Sequence, residues 1–170
     1  YQVKAADLPA GKLRDKGVPI ENLSKFDGAK DRIVYLTSAQ SMKGKGFVFA
    51  TKMAMVKRVS GEEFDTNNRA VAATKLQEGD QLAAVIPVGD ETEAVIQTAG
   101  GVFLRFPLEE ISVLKKASRG VRGIRLTRND ELESLYLIGE NPIVDYKGKE
   151  VHLNRLKLAK RDGKGSKMRL

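Results

Sequence analysis

Cationic side chains are the residues of this sequence whose type and spacing point most directly to a chemistry. Residues 147–170 contain nine Lys or Arg and two acids, so this segment holds +7 of the net charge of +8 on the 170-residue chain. Two further clusters, residues 43–58 and 115–128, contain Lys and Arg but no acid. Ammonium and guanidinium groups bind phosphate oxygens without reading bases, so these clusters predict a polyanionic partner, with nucleic acid as the first candidate.

Residues for catalysis or metal binding are scarce in the sequence. It has no Cys, and His152 is its one His, which excludes a disulfide framework, a thiolate zinc site, a Cys nucleophile and a multi-His metal site. The acids at 90–93 and 130–133 fall at turns and do not form a metal-type cluster. We therefore expect no catalytic residue, no metal site and no cofactor here. Because no apolar run reaches the roughly 18 residues needed to span a bilayer, and the first residues do not form a signal peptide, we also expect no membrane partner.

A repeated unit must position these cations. Residues 49–58 align with residues 96–105, so that Thr51 matches Thr98 and Arg58 matches Arg105. Residues 69–82 align in the same way with residues 119–132, at a slightly larger offset that indicates a short loop insertion. Parts of the same unit flank these two copies. We therefore divide the single partial domain 1–170 into units at approximately 1–40, 46–89, 90–140 and 141–170, of which the first and last are incomplete.

Each unit has the pattern of short buried strands. Apolar runs at 82–86, 94–96, 102–104 and 135–138 are bounded by Gly, Asp, Asn or Pro, and residues 98–101 and 145–148 are typical of hairpin turns. About four strands per unit predict an all-β, propeller-like array, and the lack of a Trp-Asp dipeptide argues against the WD40 type. The aromatic residues in these runs are predicted to be blade core: Phe47, Phe49, Phe64, Phe103, Phe106 and Tyr136.

An ordered series of short motifs runs through almost the whole chain. It includes Val-Lys-Ala-Ala-Asp-Leu-Pro at 3–9, Gly-Val-Pro-Ile-Glu-Asn-Leu at 17–23, Phe-Val-Phe-Ala-Thr-Lys at 47–52 and Gly-Val-Arg-Gly-Ile at 120–124. The last of these follows Arg105-Phe106 and is among the more specific marks. This series resembles the C-terminal domain of the A subunit of bacterial type IIA topoisomerases, DNA gyrase and topoisomerase IV.

The resemblance implies a fold and a function. The fold is a β-pinwheel, a disc of four-stranded blades in which neighbouring blades exchange strands and DNA bends around a basic outer rim. The implied function is that of a non-catalytic DNA-binding and DNA-bending or wrapping module, which guides strand passage during supercoiling control or decatenation by an ATP-dependent type II DNA topoisomerase, an isomerase of the bacterial cytoplasm and nucleoid. The implied partners are double-stranded DNA, the ATPase B subunit, and the rest of the A subunit. ATP and Mg²⁺ are expected on other parts of that enzyme. The alternative function is a propeller-like module that binds an acidic protein.

Residues 159–165, Ala-Lys-Arg-Asp-Gly-Lys-Gly, resemble the basic box Gln-Arg-Arg-Gly-Gly-Lys-Gly of the gyrase members of this family. Ala159 and Asp162 depart from the box, and Lys160 keeps a cation. Residues 40–46 share the first residue and the last three of the box, but they lie in an inter-blade loop where the family has none. A degenerate box favours the topoisomerase IV branch, whereas the other motifs are common to both branches.

The candidate DNA contacts are cations from the three clusters, together with Arg105. They are Lys43, Lys45, Lys57, Arg58, Arg105, Lys115, Lys116, Arg119, Arg122, Arg125, Lys160, Arg161, Lys164, Lys167 and Arg169. For Arg58 and Arg105 two interpretations stay open, contact with DNA or bracing of a neighbouring blade. If the stretch is extended, residues 119, 122 and 125 cannot all share one face, so we expect at least one of them to point sideways or inward. Deletion of 159–170 is expected to weaken DNA binding more than neutralisation of residues 115 and 116.

Overall fold

Short strands alternate with turns along most of the chain. The computed structural model describes residues 1–140 and 142–169; Asn141 and Leu170 lie outside the described residues. The strands are β1 (Gly46–Thr51), β2 (Met55–Ser60), β3 (Leu82–Val88), β4 (Glu93–Thr98), β5 (Val102–Pro107), β6 (Val121–Arg122), β7 (Leu132–Leu137), β8 (Ile143–Tyr146), β9 (Lys149–His152) and β10 (Ser166–Lys167). The helical elements are α1 (Ala39–Met42) and 3₁₀ turns at Ala5–Asp7, Ile20–Asn22, Gly61–Phe64, Leu108–Glu110 and Leu153–Arg155. Within the described part of the chain, no helix is long and apolar enough to cross a membrane.

The strands form two four-stranded sheets and one hairpin. The first sheet has the order β3-β1-β2-β6, the second has the order β7-β4-β5-β10, and β8 pairs with β9. Neighbouring strands in all three are antiparallel. The prediction of an all-β fold built from four-stranded blades is therefore confirmed.

The two sheets are copies of one unit. Strands β1 and β4 have the same burial pattern along their six residues, and so do β2 and β5. The hydroxyl of Thr51 accepts a hydrogen bond from the Met55 amide at 3.1 Å, and the hydroxyl of Thr98 accepts one from the Val102 amide at 3.2 Å. Each Thr thus closes the hairpin turn that follows it, which explains why this residue recurs in the aligned sequence.

In each unit, an aspartate just before β3 or β7 accepts a hydrogen bond from this hairpin turn. The Asp80 carboxylate accepts from the Met53 amide at 2.9 Å, and the Asp130 carboxylate accepts from the Gly100 amide at 2.8 Å. These two acids occupy equivalent places in the aligned units. Among the acids at 130–133, Asp130 is therefore a hydrogen-bond acceptor for the backbone of a turn.

Each blade is completed by a strand from the next unit. Strand β6 follows β5 in the chain but pairs with β2, and β10 follows β9 but pairs with β5. On the way, the crossing chain runs parallel to the hairpin it joins, with isolated bridges from Arg58 to Val113 and from Arg105 to Leu158. This is the strand exchange that the pinwheel resemblance implies.

The core lies within and between the blades. Its largest cluster joins both sheets through residues such as Val48, Val56, Ile96 and Phe106, all fully buried. Two smaller clusters centre on Phe47 and Phe49 and on Phe103. The buried Phe side chains, at 47, 49, 103 and 106, are core residues as predicted. Each fully buried large apolar side chain contributes about 1.5–3 kcal/mol, so this packing holds the outer segments described below.

Candidate nucleic-acid interface

Two basic segments occupy equivalent places in the two sheets. Val121 of β6 lies opposite Val56, and Ser166 of β10 lies opposite Phe103, the residue that matches Val56 in the repeat. This register aligns residues 115–122 with residues 160–167. We call residues 115–125 the first basic segment and residues 160–169 the second.

The alignment places a cation against a cation at four positions. Lys115 matches Lys160, Lys116 matches Arg161, Arg119 matches Lys164, and Arg122 matches Lys167. Gly120 and Gly165 also coincide, with φ of 95° and 68°, where glycine allows the chain to turn into the exchanged strand without a steric cost. The positive charge is thus a property of the exchanged segment itself.

Most of the candidate contacts are exposed to solvent. The exposed ones are Lys43, Lys45, Lys115, Arg119, Arg122, Arg125, Lys160, Lys164, Lys167 and Arg169. In the second basic segment, Lys160 and Lys164 line a shallow groove together with Lys157 and the backbone of Gly163 and Gly165. These cations are therefore accessible from solvent without any rearrangement of the core.

The arginines of the paired strands brace the exchanged segments. Arg58 donates through Nε to the Ile111 carbonyl at 2.8 Å. Arg105 pairs with Glu93 at 2.6 Å, and its Nη1 donates to the carbonyls of Asn154 and Leu156. Of the two interpretations left open for these arginines, bracing is the one with contacts in the structure. Their partners are mainly backbone carbonyls, with Glu93 as the one carboxylate among them.

Lys57 lies in the interior, which removes it from the accessible candidates. Its side chain is 1% exposed, and its ammonium donates to the carbonyls of Lys116 at 2.6 Å, Ser118 at 2.9 Å and Ala73 at 3.3 Å, with a further contact to Lys115. The ammonium also lies over the Phe49 ring. Burial lowers the pKa of Lys57 to about 8, and the Glu63 carboxylate opposes that shift. Lys57 therefore anchors the first basic segment from within.

Glu63 contacts two lysines of the first basic segment. Lys115 pairs with the Glu63 carboxylate at 2.9 Å, and the Lys116 ammonium donates to the Glu63 carbonyl. The hydrogen bond from Lys115 is the main cause that lowers the pKa of Glu63, and the same contact raises the pKa of Lys115. Lys115 nevertheless keeps 85% of its side chain exposed.

Arg119, Arg122 and Arg125 are all exposed, so none of them points inward. The expectation assumed an extended segment. Only Val121–Arg122 is strand, and Gly120 adopts a positive φ just before it. The break in extended geometry lets residues at a spacing of three reach solvent together.

Residues 159–165, which we call the box-like turn, fold back onto the first basic segment. Asp162, which has a φ of 64°, forms a bidentate ion pair with Arg122. Nη2 of Arg122 lies 3.0 Å from Oδ2 of Asp162, and Nε of Arg122 contacts Oδ1. Arg125 lies 3.5 Å from the same carboxylate. Arg161 donates to the carbonyls of Arg122 and Glu110, so it is held by backbone. The hydrogen bond from Arg122 is the main cause that lowers the pKa of Asp162 and raises that of Arg122.

Sequence reasoning missed the buried lysine and the acids that pair with exposed cations. A signal for Lys57 was present, because its aligned residue in the second unit is Leu104, which is itself buried. For Glu63 and Asp162 there was no such signal, since Lys115 and Arg122 lie 52 and 40 residues away from them in the chain. Among the described residues, no group of three or more His, Cys, Asp or Glu could hold a metal ion.

Comparison with known proteins identifies relatives of the same architecture. A family model described as the DNA gyrase C-terminal domain, beta-propeller, matches residues 43–89 and 92–138. The chain is 33% identical to the A subunit of DNA gyrase from Chlamydia pneumoniae, over 85% of this chain and 18% of that protein. It is 30% identical to the A subunit of DNA gyrase from Mycoplasma genitalium, over 98% of this chain and 21% of that protein. The chain thus spans about a fifth of the length of these curated relatives.

Solved structures share the fold. A crystal structure of the C-terminal domain of DNA topoisomerase IV superposes with a TM-score of 0.82 at 23% identity, over 95% of this chain and 52% of that one. A DNA gyrase A C-terminal domain superposes with a TM-score of 0.63 at 20% identity, over 72% of this chain and 42% of that one. These likenesses support the pinwheel architecture. The two sequence relatives are gyrase A subunits, whereas the degenerate box had favoured topoisomerase IV.

Proposed function

Because the chain belongs to the DNA gyrase C-terminal domain family, we propose that it binds and bends duplex DNA as a non-catalytic part of a bacterial type IIA topoisomerase. In that enzyme it would hold DNA on its basic outer edge and guide strand passage. Its partners would be duplex DNA, the ATPase B subunit, and the rest of the A subunit, in the bacterial cytoplasm and at the nucleoid. ATP and Mg²⁺ would act on other parts of the enzyme.

The observation that carries this proposal is the recurrence of cations in the two exchanged segments. Residues 115–122 and 160–167 align through their strand pairing, with a cation at the same four positions. A surface that binds the regular array of phosphates on a duplex requires positive charge at repeated intervals, whereas base recognition requires none of this regularity. Bending of the duplex costs several kcal/mol, which distributed phosphate contacts offset.

Salt dependence tests the binding. The binding constant of the chain for a duplex should fall linearly with salt on logarithmic axes and should vary little with sequence. Neutralisation of three exposed lysines of the second segment, Lys160, Lys164 and Lys167, to Gln should reduce the slope by about 2.7, since each lost phosphate contact removes about 0.9. The matched control neutralises Lys12, Lys16 and Lys25, which are exposed in the first unit, and should leave the slope nearly unchanged.

Charge substitution is a better test than deletion of 159–170, because the deletion also removes β10 and the hydrogen bonds of the box-like turn. Neutralisation of Lys115 and Lys116 should have a smaller effect than the triple substitution, since both lysines already contact Glu63. If the chain shows no duplex binding at low salt, the proposal is contradicted and the acidic-protein alternative gains support. Equal effects of the triple substitution and its control would contradict the assignment of the second segment.

The branch within the family can be tested by DNA topology. Circular DNA is relaxed in the presence of the chain, and the superhelical turns trapped per bound domain are counted. Trapped turns of one hand favour gyrase-type wrapping. Bending without trapped turns favours the topoisomerase IV type, which is the branch that the departures at Ala159 and Asp162 indicate.

A further inference from the structure

Asp162 is an anion placed inside the basic surface. Its carboxylate occupies Nε and Nη2 of Arg122 at once and lies 3.5 Å from Arg125. The side chains of the two arginines remain 55% and 56% exposed, whereas that of Asp162 is 29% exposed. The carboxylate therefore sits beneath two guanidinium groups that face solvent.

The geometry of this contact is that of a phosphate contact. Guanidinium groups bind carboxylate and phosphate oxygens with the same planar fork, through two parallel N–H···O bonds. The Arg122 fork is already engaged by both oxygens of Asp162. A DNA phosphate that approached Arg122 in the same manner would have to displace this carboxylate.

The first basic segment has no such acid at the equivalent place. The register that aligns the two segments matches Ala117 with Asp162. Each of these residues lies in a turn, two residues before the aligned cation that precedes the aligned glycine. The two turns differ in backbone conformation, since Asp162 has a positive φ and Ala117 does not. The positive φ of 64° at Asp162 is one that Gly or Asn adopts readily.

We propose that Asp162 is an internal competitor for DNA phosphate, which lowers the affinity of Arg122 and Arg125 for the duplex and so sets how tightly this part of the edge binds. The inference rests on the proposed function, because it takes duplex DNA as the ligand. It assigns a role to a residue that repels DNA by itself and that sits in the most basic part of the chain.

The test compares duplex binding by the wild-type chain and by Asp162→Asn, which keeps the shape of the side chain and removes its charge. Release of one or two guanidinium groups should steepen the salt slope by about 0.9 to 1.8. If the two lines meet at about 200 mM salt, the variant binds roughly 3- to 12-fold more tightly at about 50 mM salt. Asp162→Gly should give the same gain, which protects the test against a local effect of Asn.

Two controls separate this effect from a general change in charge. Glu131→Gln removes an exposed acid of the same charge that pairs with Lys52 at 2.8 Å, away from the two arginines, and should change duplex affinity by less than the Asp162 variants. In a background with Arg122→Ala and Arg125→Ala, Asp162→Asn should produce little further gain. Thermal unfolding of each variant shows that the fold is retained.

The outcomes distinguish the two proposals. Absence of duplex binding by the wild-type chain at low salt would contradict the proposed function and this inference with it. Duplex binding by the wild type with no gain in either Asp162 variant would contradict the inference alone. A gain of the same size in Glu131→Gln, or in the background without the two arginines, would also overturn it.

Discussion

Lys57 provides a test of how the first basic segment is held. The substitution Lys57→Met keeps the length and apolar character of the side chain and removes the ammonium. In the wild type this ammonium is buried and donates to the backbone carbonyls of residues 73, 115, 116 and 118. At a single pH, the loss of these hydrogen bonds and the relief of a buried charge oppose each other. The informative quantity is therefore the change in the variant's free energy of unfolding between two pH values.

The magnitude follows from the pKa of Lys57. Burial lowers it from 10.5 to about 8, so the folded chain disfavours the charged form. This penalty is fully present below pH 8 and is relieved as the pH rises toward 10.5, the pKa in the unfolded chain. Between about pH 7 and about pH 9.5 the wild type should gain roughly 2 kcal/mol of stability relative to Lys57→Met. All other ionisable groups are common to both proteins, so their contributions cancel in the difference.

Urea unfolding of both proteins at the two pH values measures this difference. Lys75→Met is the matched control, because Lys75 is exposed, and its difference from the wild type should be the same at both pH values. The prediction concerns the free energy of unfolding of the wild type minus that of Lys57→Met. If this quantity is the same at both pH values, or falls as the pH rises, the prediction is contradicted. Such a result would mean that the carbonyl contacts compensate the ammonium fully for its lost hydration.

Two further substitutions test the strand exchange. Gly120→Ala should lower the free energy of unfolding by about 2–5 kcal/mol, because φ is 95° and the new Cβ would lie 2.5 Å from the Val56 carbonyl oxygen. The control Gly44→Ala, where φ is 70° and no atom lies within 4 Å of the new Cβ, should cost only about 1–2 kcal/mol. Equal losses in urea unfolding would contradict the role of close packing at Gly120. Arg105→Gln should lower stability by about 1–3 kcal/mol, since the guanidinium contacts Glu93 and two carbonyls, and should leave the salt slope of duplex binding unchanged; a slope reduced by about 0.9 would show that Arg105 contacts phosphate instead.

The repeat and the elements within it could be predicted from local features of the sequence. Hairpin turns at 98–101 and 145–148 lie where Gly and polar residues predicted them, and the Phe side chains at 47, 49, 103 and 106 are buried as predicted. These features depend on neighbours in the chain. A turn needs residues that tolerate its φ, and a buried strand needs a run of apolar side chains, so both leave a local signal.

The surroundings of each cation, in contrast, depend on how distant parts of the chain pack together. Lys57 and Arg58 are adjacent in sequence, yet the first is buried beneath the exchanged segment and the second braces it. Arg122 meets Asp162 because β6 and the box-like turn come together through strand exchange, across 40 residues of chain. A charge count assigns the same value to every lysine and arginine. Burial and pairing separate them, because both depend on which distant backbone or carboxylate the fold brings to each cation.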